Sequence, residues 1–159
     1  MIAVLQRVNR ARVISDGVET GEIGKGLYIL LGVEKGDGED DSVALAEKIS
    51  KLRIFSDPDG KMNLSVKDVY GSVLVVSNFT LNANYAHGNR PDYLASAAPD
   101  EAKRLYLHFL DEIGKRVGKA EAGVFSADMR TDMETDGPVT IVMNSAVLLK
   151  KGAGNDSSR

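Results

Sequence analysis

The sequence contains no cysteine. That excludes disulfides, thiolate nucleophiles and Cys-ligated zinc, and it suits a reducing compartment. Histidine is scarce: His87 and His108 are the two present, and their spacing supports no Ser-His-Asp relay. No apolar run approaches the roughly 20 residues of a membrane span. Residues 1–8, MIAVLQRV, are too short and too interrupted for a secretory leader. There is no excess of basic charge. The formal net charge is -3 and the pI about 5.4, which argues against indiscriminate nucleic-acid or DNA binding. The motifs GxGxxG, GxxxxGK[ST], HExxH and GxSxG are all missing. These absences lead us to expect a cytoplasmic protein with no membrane partner, no metal and no cofactor.

What is present reads as a globular chain. Its 159 residues, 43% apolar and 27% charged, are enough to bury a core without staples. We expect a single domain over residues 1–147 and a polar, mobile tail over 148–159. MIAVLQRV and ARVISD have the period-2 character of strands, and Asp16-Gly17 predicts a hairpin between ARVISD and VETGEI. GLYILLGVE (26–34) reads as a central strand. A helix is expected over 39–55, with Leu45, Ile49 and Leu52 on one face and Asp41 or Ser42 as cap. Ser56–Gly60 is a turn that lacks the later ligands of a calcium loop. A strand over 72–80 precedes a long polar loop (82–98), a length often tied to function. Pro99 opens a second helix with the stripe Ala102, Leu105, Tyr106, Phe109, Ile113 and Val117, stopped at Gly118. GVFSADM and PVTIVMNSAVLL read as further strands. Six or seven strands and two helices imply an α/β fold, a mixed sheet with helices on one side.

Acid–base machinery is not evident. Asp128 and Asp136 are scattered carboxylates that also suit turns and strand ends. Arg7, Arg10 and Arg12 form either a local RNA-facing patch or a solvated strand face. Two segments stand out. In SVLVVSNFTL (72–81) a buried strand breaks into Ser77, Asn78, Phe79 and Thr80. This is either the polar floor of a cleft or a strand end capped by its own hydrogen bonds. A threonine hydroxyl is a weak nucleophile without a base. In DGPVT (136–140), Gly137-Pro138 is either a simple turn or a stretch of bare carbonyls able to screen the shape of a ligand.

Read together, these segments resemble the D-aminoacyl-tRNA deacylase (D-tyrosyl-tRNA deacylase) family of bacterial and eukaryotic type. MIAVLQRV, TGEIGKGLYILLGVEKGD, RIFSDPDGKMNLSV, GSVLVVSNFTL, GNRPDY, GVFSADM and DGPVT are collinear with it over residues 1 to about 145. The resemblance implies a three-layer, barrel-like mixed sheet with two helices on one side. It implies hydrolysis of the ester of D-aminoacyl-tRNA, and of glycyl-tRNA mischarged on tRNA-Ala, with L-aminoacyl-tRNA rejected. It further implies a homodimer with active sites at the interface, binding the aminoacylated 3′ end of tRNA. Ser77, Phe79 and Thr80 take the catalytic positions. Asn78, Gly137, Pro138, Met129 and Arg7 take substrate-binding ones. The family's Gly-Pro bond is cis and its carbonyls exclude L side chains. Catalysis draws on the tRNA's own 2′-hydroxyl and on backbone amides near Phe79 and Thr80. Asn78 stands where the family has Gln, and Thr135 where it commonly has Asn. Two alternatives remain open: an esterase dependent on Thr80, and a non-catalytic dimer that binds the tRNA end.

Overall fold

The computed structural model describes residues 1–153. β1 (Ile2–Ser15) is followed by β2 (Val18–Ile23), β3 (Gly26–Gly32), α1 (Glu39–Lys51), β4 (Phe55–Ser56), β5 (Met62–Leu64) and β6 (Ser72–Ser77). A 3₁₀ turn (Phe79–Asn82), α2 (Pro99–Val117), β7 (Ala120–Ala122), β8 (Met129–Asn144) and α3 (Ser145–Ala153) complete it. The main sheet runs β2-β1-β3-β6-β7, with β8 on the other edge of β1. The β1–β3 and β1–β2 pairs are antiparallel, while β6 is parallel to both β3 and β7. Each parallel step carries a helix, as parallel crossovers require.

The apolar run of β3 is buried on both faces, which explains why it does not alternate with polar residues. Leu27, Ile29 and Leu31 face α1 and α2 with Ala3, Leu5, Val73, Val75, Leu45, Ile49, Leu105 and Phe109. Tyr28 packs on the opposite side with Leu74, Val76, Val8, Val13 and Ile23. The three layers are thus the helices, the β1–β3–β6 sheet, and the far half of β1 folded over with β2. β2 closes on β7 so tightly that a Cβ on Gly21 would lie 3.0 Å from the Ala122 carbonyl oxygen. Glycine permits that approach, and the sheet is nearly a barrel.

The Asp16-Gly17 hairpin forms as expected, with both residues at positive φ. Several boundaries differ. MIAVLQRV and ARVISD are one 14-residue strand, because β8 pairs with both halves of β1, from Ile2 to Ser15, with breaks in register around Arg7 and Asn9. The first helix ends at Lys51, and Phe55, 1% exposed, turns into a short hairpin. Its cap is Gly38, whose N–H donates to Asp41 at helix position N3 (2.9 Å), while Ser42 is buried inside the helix. The strand at 72 stops at Ser77. GVFSADM is mostly a turn, with Ser126 at φ 66°, returning the chain from β7 toward β1. PVTIVMNSAVLL stops at Asn144, whose Oδ1 accepts the Ala146 N–H and opens a third helix, an N-cap use of asparagine. α3 carries the chain past residue 147, and Leu148 packs on the helix-side core. The rest of the expected tail, 154–159, lies outside the described residues.

Candidate active site

β3 and β6 end side by side, and the carboxyl ends of parallel strands are where α/β sheets bind ligands. Here the strand ends open into a cleft of about 710 Å³. Leu31 and Val33 form one wall, Ser77, Asn78 and Phe79 a second, and Phe125 and Met129 a third. Tyr106 of α2, 2% exposed, forms the floor. Its hydroxyl donates to the Val75 carbonyl (2.9 Å), with the Gly123 carbonyl at 3.3 Å. Burial pushes its phenol well above the ordinary range, so it stays neutral. Lys35 is the single formally charged side chain of the lining among the described residues. Apart from Lys35 the cleft is mostly apolar, with a few hydroxyl and amide groups and, among the described residues, no carboxylate or imidazole. It holds no side chain placed to act as a tuned base.

The turn after β6 is tightly knit. Asn78 is extended and caps the 3₁₀ turn; its Oδ1 accepts the Thr80 N–H at 3.2 Å and the Thr80 hydroxyl as well. Its own N–H donates to Leu31 O (2.8 Å), and its carbonyl accepts Leu81 N–H (3.4 Å). The Phe79 carbonyl accepts the Ser96 hydroxyl (3.3 Å), and buried Asn82 donates to both Ser96 Oγ and Val33 O. Among the described residues, the Phe79 N–H is left without a partner. The Phe79 ring, 59% exposed, meets Tyr93 edge to face, centroids 5.0 Å apart at 73°. Thr80 is exposed and outside the cleft lining, its hydroxyl engaged by Asn78.

Gly137 and Pro138 are elsewhere. Gln6 pairs with Thr140 and Val8 with Thr135, so residues 136–139 leave the β8 ladder opposite a single residue, Arg7. This excursion is exposed at Gly137 and Pro138, and its Gly-Pro bond is cis. Arg7, 8% exposed, clamps its base. Nη1 donates to Ile54 O at 2.7 Å, and Nε reaches Asp136 O at 3.3 Å and Asp136 Oδ2 at 3.0 Å. Gly137 has φ +133°, and a Cβ there would sit 2.7 Å from Val139 N, so only glycine fits.

Of the expected site residues, Ser77, Asn78, Phe79 and Met129 come together in the cleft. Arg7, Gly137 and Pro138 form a second constellation that does not line it. Asp136 belongs to the Arg7 clamp, Asp128 to the hairpin turn through Asp16, and His108 lies 3.9 Å from Glu39. Sequence reasoning missed Phe125, Tyr93 and Lys35. Tyr106 was legible only as a member of the apolar stripe, although its hydroxyl had to find a buried partner.

A family model described as D-Tyr-tRNA(Tyr) deacylase matches residues 4–144. The chain is 52% identical to the D-aminoacyl-tRNA deacylase of Geobacter sulfurreducens over 145 residues, 91% of this chain and 95% of that one. It is 50% identical to the D-aminoacyl-tRNA deacylase of Persephonella marina over 148 residues, 93% of this chain and all (100%) of that one. A solved structure named c-Myc DNA Unwinding Element Binding Protein superposes with a TM-score of 0.85 at 37% identity, covering 91% of this chain and 98% of the other. A probable eukaryotic D-amino acid tRNA deacylase shares the fold, at a TM-score of 0.74 and 15% identity over 89% of this chain and 97% of the other. The chain belongs to the D-aminoacyl-tRNA deacylase family of hydrolases.

Proposed function

We propose that this protein hydrolyses the ester between a D-amino acid, or glycine, and the 3′-terminal adenosine of tRNA, and that it spares the L-aminoacyl ester. The observation that carries this reading is the division of the site. One chain offers, at the end of β6, a cleft whose one charged lining side chain among the described residues is Lys35 and, on β8, an exposed Gly137-Pro138 excursion held by Arg7. A homodimer in which each excursion enters the partner's cleft joins the two halves. The carbonyls of Gly137 and Pro138 then face the Cα substituent, where an L side chain collides and a D side chain or hydrogen does not. The protein acts in the cytoplasm, where charged tRNA is used.

In the reaction, water adds to the ester carbonyl and the bond to the ribose 3′-oxygen breaks. The amino acid leaves as its carboxylate and the 3′-oxygen takes a proton. The engaged hydroxyl of Thr80 speaks against a threonine nucleophile, and among the described residues the cleft lining offers no carboxylate or imidazole base. The substrate's 2′-hydroxyl therefore assists the water, and the unpartnered Phe79 N–H stabilises the oxyanion. The Thr80 N–H is already given to Asn78. Asn78, where the family has glutamine, serves here as the cap of the turn.

The test is deacylation of D-Tyr-tRNA and L-Tyr-tRNA side by side, with the oligomeric state measured by sedimentation. Rapid loss of the D ester alone, by a dimer, is expected. Hydrolysis of both esters would remove the chiral screen, and hydrolysis of neither would leave a tRNA-end binding protein. Full activity on a substrate ending in 2′-deoxyadenosine would sink the assisted mechanism.

A further inference from the structure

Residues 83–94, ANYAHGNRPDYL, form a closed hairpin-like loop beside the cleft. Asn84 and Asp92 pair through both backbone bonds (2.8 and 2.9 Å) and through Asn84 Nδ2 to Asp92 Oδ2 (3.1 Å). Asp92 Oδ1 accepts the Leu94 N–H (3.1 Å) and Asn84 Oδ1 the Ala86 N–H (3.1 Å). Tyr85 and Tyr93 each directly follow one partner of the Asn84–Asp92 bridge, so the stem carries an aromatic residue on both of its arms. Tyr93 leads inward to the Phe79 ring at the cleft wall. Tyr85 leads outward and is 81% exposed. Two of these rings, Phe79 and Tyr93, meet at the cleft, and the third, Tyr85, stands exposed on the same loop.

The tip of this loop differs in charge from the chain as a whole. Its tip, YAHGNRP (85–91), holds Arg90 and His87 and no acidic residue, in a protein of net charge -3. Among the described residues no carboxylate lies within ion-pair distance of Arg90, and the nearby Asp92 carboxylate is occupied by its own loop. Exposed rings sharing one loop with an unpaired cation are what single-stranded nucleic acid requires: faces for bases and a charge for the backbone.

We infer that the 83–94 loop is a stacking platform for the unpaired nucleotides that precede the terminal adenosine, with Tyr85 and Tyr93 under bases and Arg90 on a phosphate. This rests on reading the cleft as the site of the aminoacylated adenosine. The closed Asn84–Asp92 stem holds the rings in place before RNA arrives, which lowers the ordering cost of binding.

The experiment compares D-Tyr-tRNA with 3′-O-D-tyrosyl-adenosine, which lacks those nucleotides, for the wild type, Tyr85→Ala and Arg90→Ala. The platform predicts that the ratio of kcat/KM for tRNA over the nucleoside falls about 10-fold in Tyr85→Ala, the size of one base-stacking contact, through KM. Arg90→Ala should lower the ratio less and reduce the salt slope by about one phosphate. An unchanged ratio overturns the inference, as does a change traced by sedimentation to loss of the dimer. If the wild type cleaves neither substrate, the reading of the cleft fails instead. The platform is then judged by binding of the trinucleotide CCA, which Tyr85→Ala must weaken.

Discussion

Replacing Arg7 by methionine keeps most of the buried stem but removes the guanidinium. The Ile54 carbonyl then loses a charge-assisted hydrogen bond of 2.7 Å, a loss of about 1.5–3 kcal/mol for a buried acceptor left unmade. The ion pair with Asp136 adds little. The Asp136 side chain is 38% exposed and water screens it, so about 1 kcal/mol is the ceiling. The expected cost is about 2–4 kcal/mol, or roughly 5–15 °C in Tm for a chain of this size. Urea unfolding followed by circular dichroism, at one fixed protein concentration because assembly shifts the midpoint, measures it. The same variant should cleave L-Tyr-tRNA faster relative to D-Tyr-tRNA, since Arg7 is what holds the 136–139 excursion to the body of the chain. A midpoint shift worth less than about 1 kcal/mol, with discrimination intact, would refute the clamp.

Three further outcomes follow from the same geometry. Gly137→Ala places a Cβ 2.7 Å from Val139 N at φ +133°, so the excursion must move. Chiral discrimination should drop with a stability loss of about 1–3 kcal/mol, and a kinetic comparison of D and L esters checks it. Gly21→Ala crowds the Ala122 carbonyl and Leu74 and should cost about 1–3 kcal/mol of urea stability by prising β2 from β7. Tyr106 gives an alkaline signature. Its folded-state pKa is raised above the ordinary 10.0, first by burial, so above pH 10 the unfolded chain loses a proton that the folded chain keeps. Stability attributable to Tyr106 is therefore intact below pH 10 and falls as pH rises beyond it, at up to about 1.4 kcal/mol per pH unit. In Tyr106→Phe that slope should diminish, while stability at neutral pH drops because the hydrogen bonds to Val75 O and Gly123 O are gone.

Some of this protein was legible in its sequence because the signals are local. Asp16-Gly17 defines a hairpin through its own φ preferences, and the spacing of Leu105, Tyr106, Phe109 and Ile113 defines the buried face of α2. The collinear motifs were enough to place the chain in its family. The polar break at Ser77–Thr80 marked the end of a buried strand, although not that Asn78 would capture both donors of Thr80. What the sequence left open depended on partners distant along the chain. Whether residues 2–15 make one strand or two is decided by β8, more than a hundred residues later. GVFSADM has strand composition but lies where the chain must turn back from β7 toward β1. The role of Arg7 is invisible until Ile54 and Asp136 are brought to it. The sequence by itself determined the family and singled out the Ser77-Asn78-Phe79-Thr80 and Gly137-Pro138 segments. Only the tertiary structure divided them into a cleft on β6 and an excursion on β8, because that division follows from strand order and register, which local residue preferences do not encode.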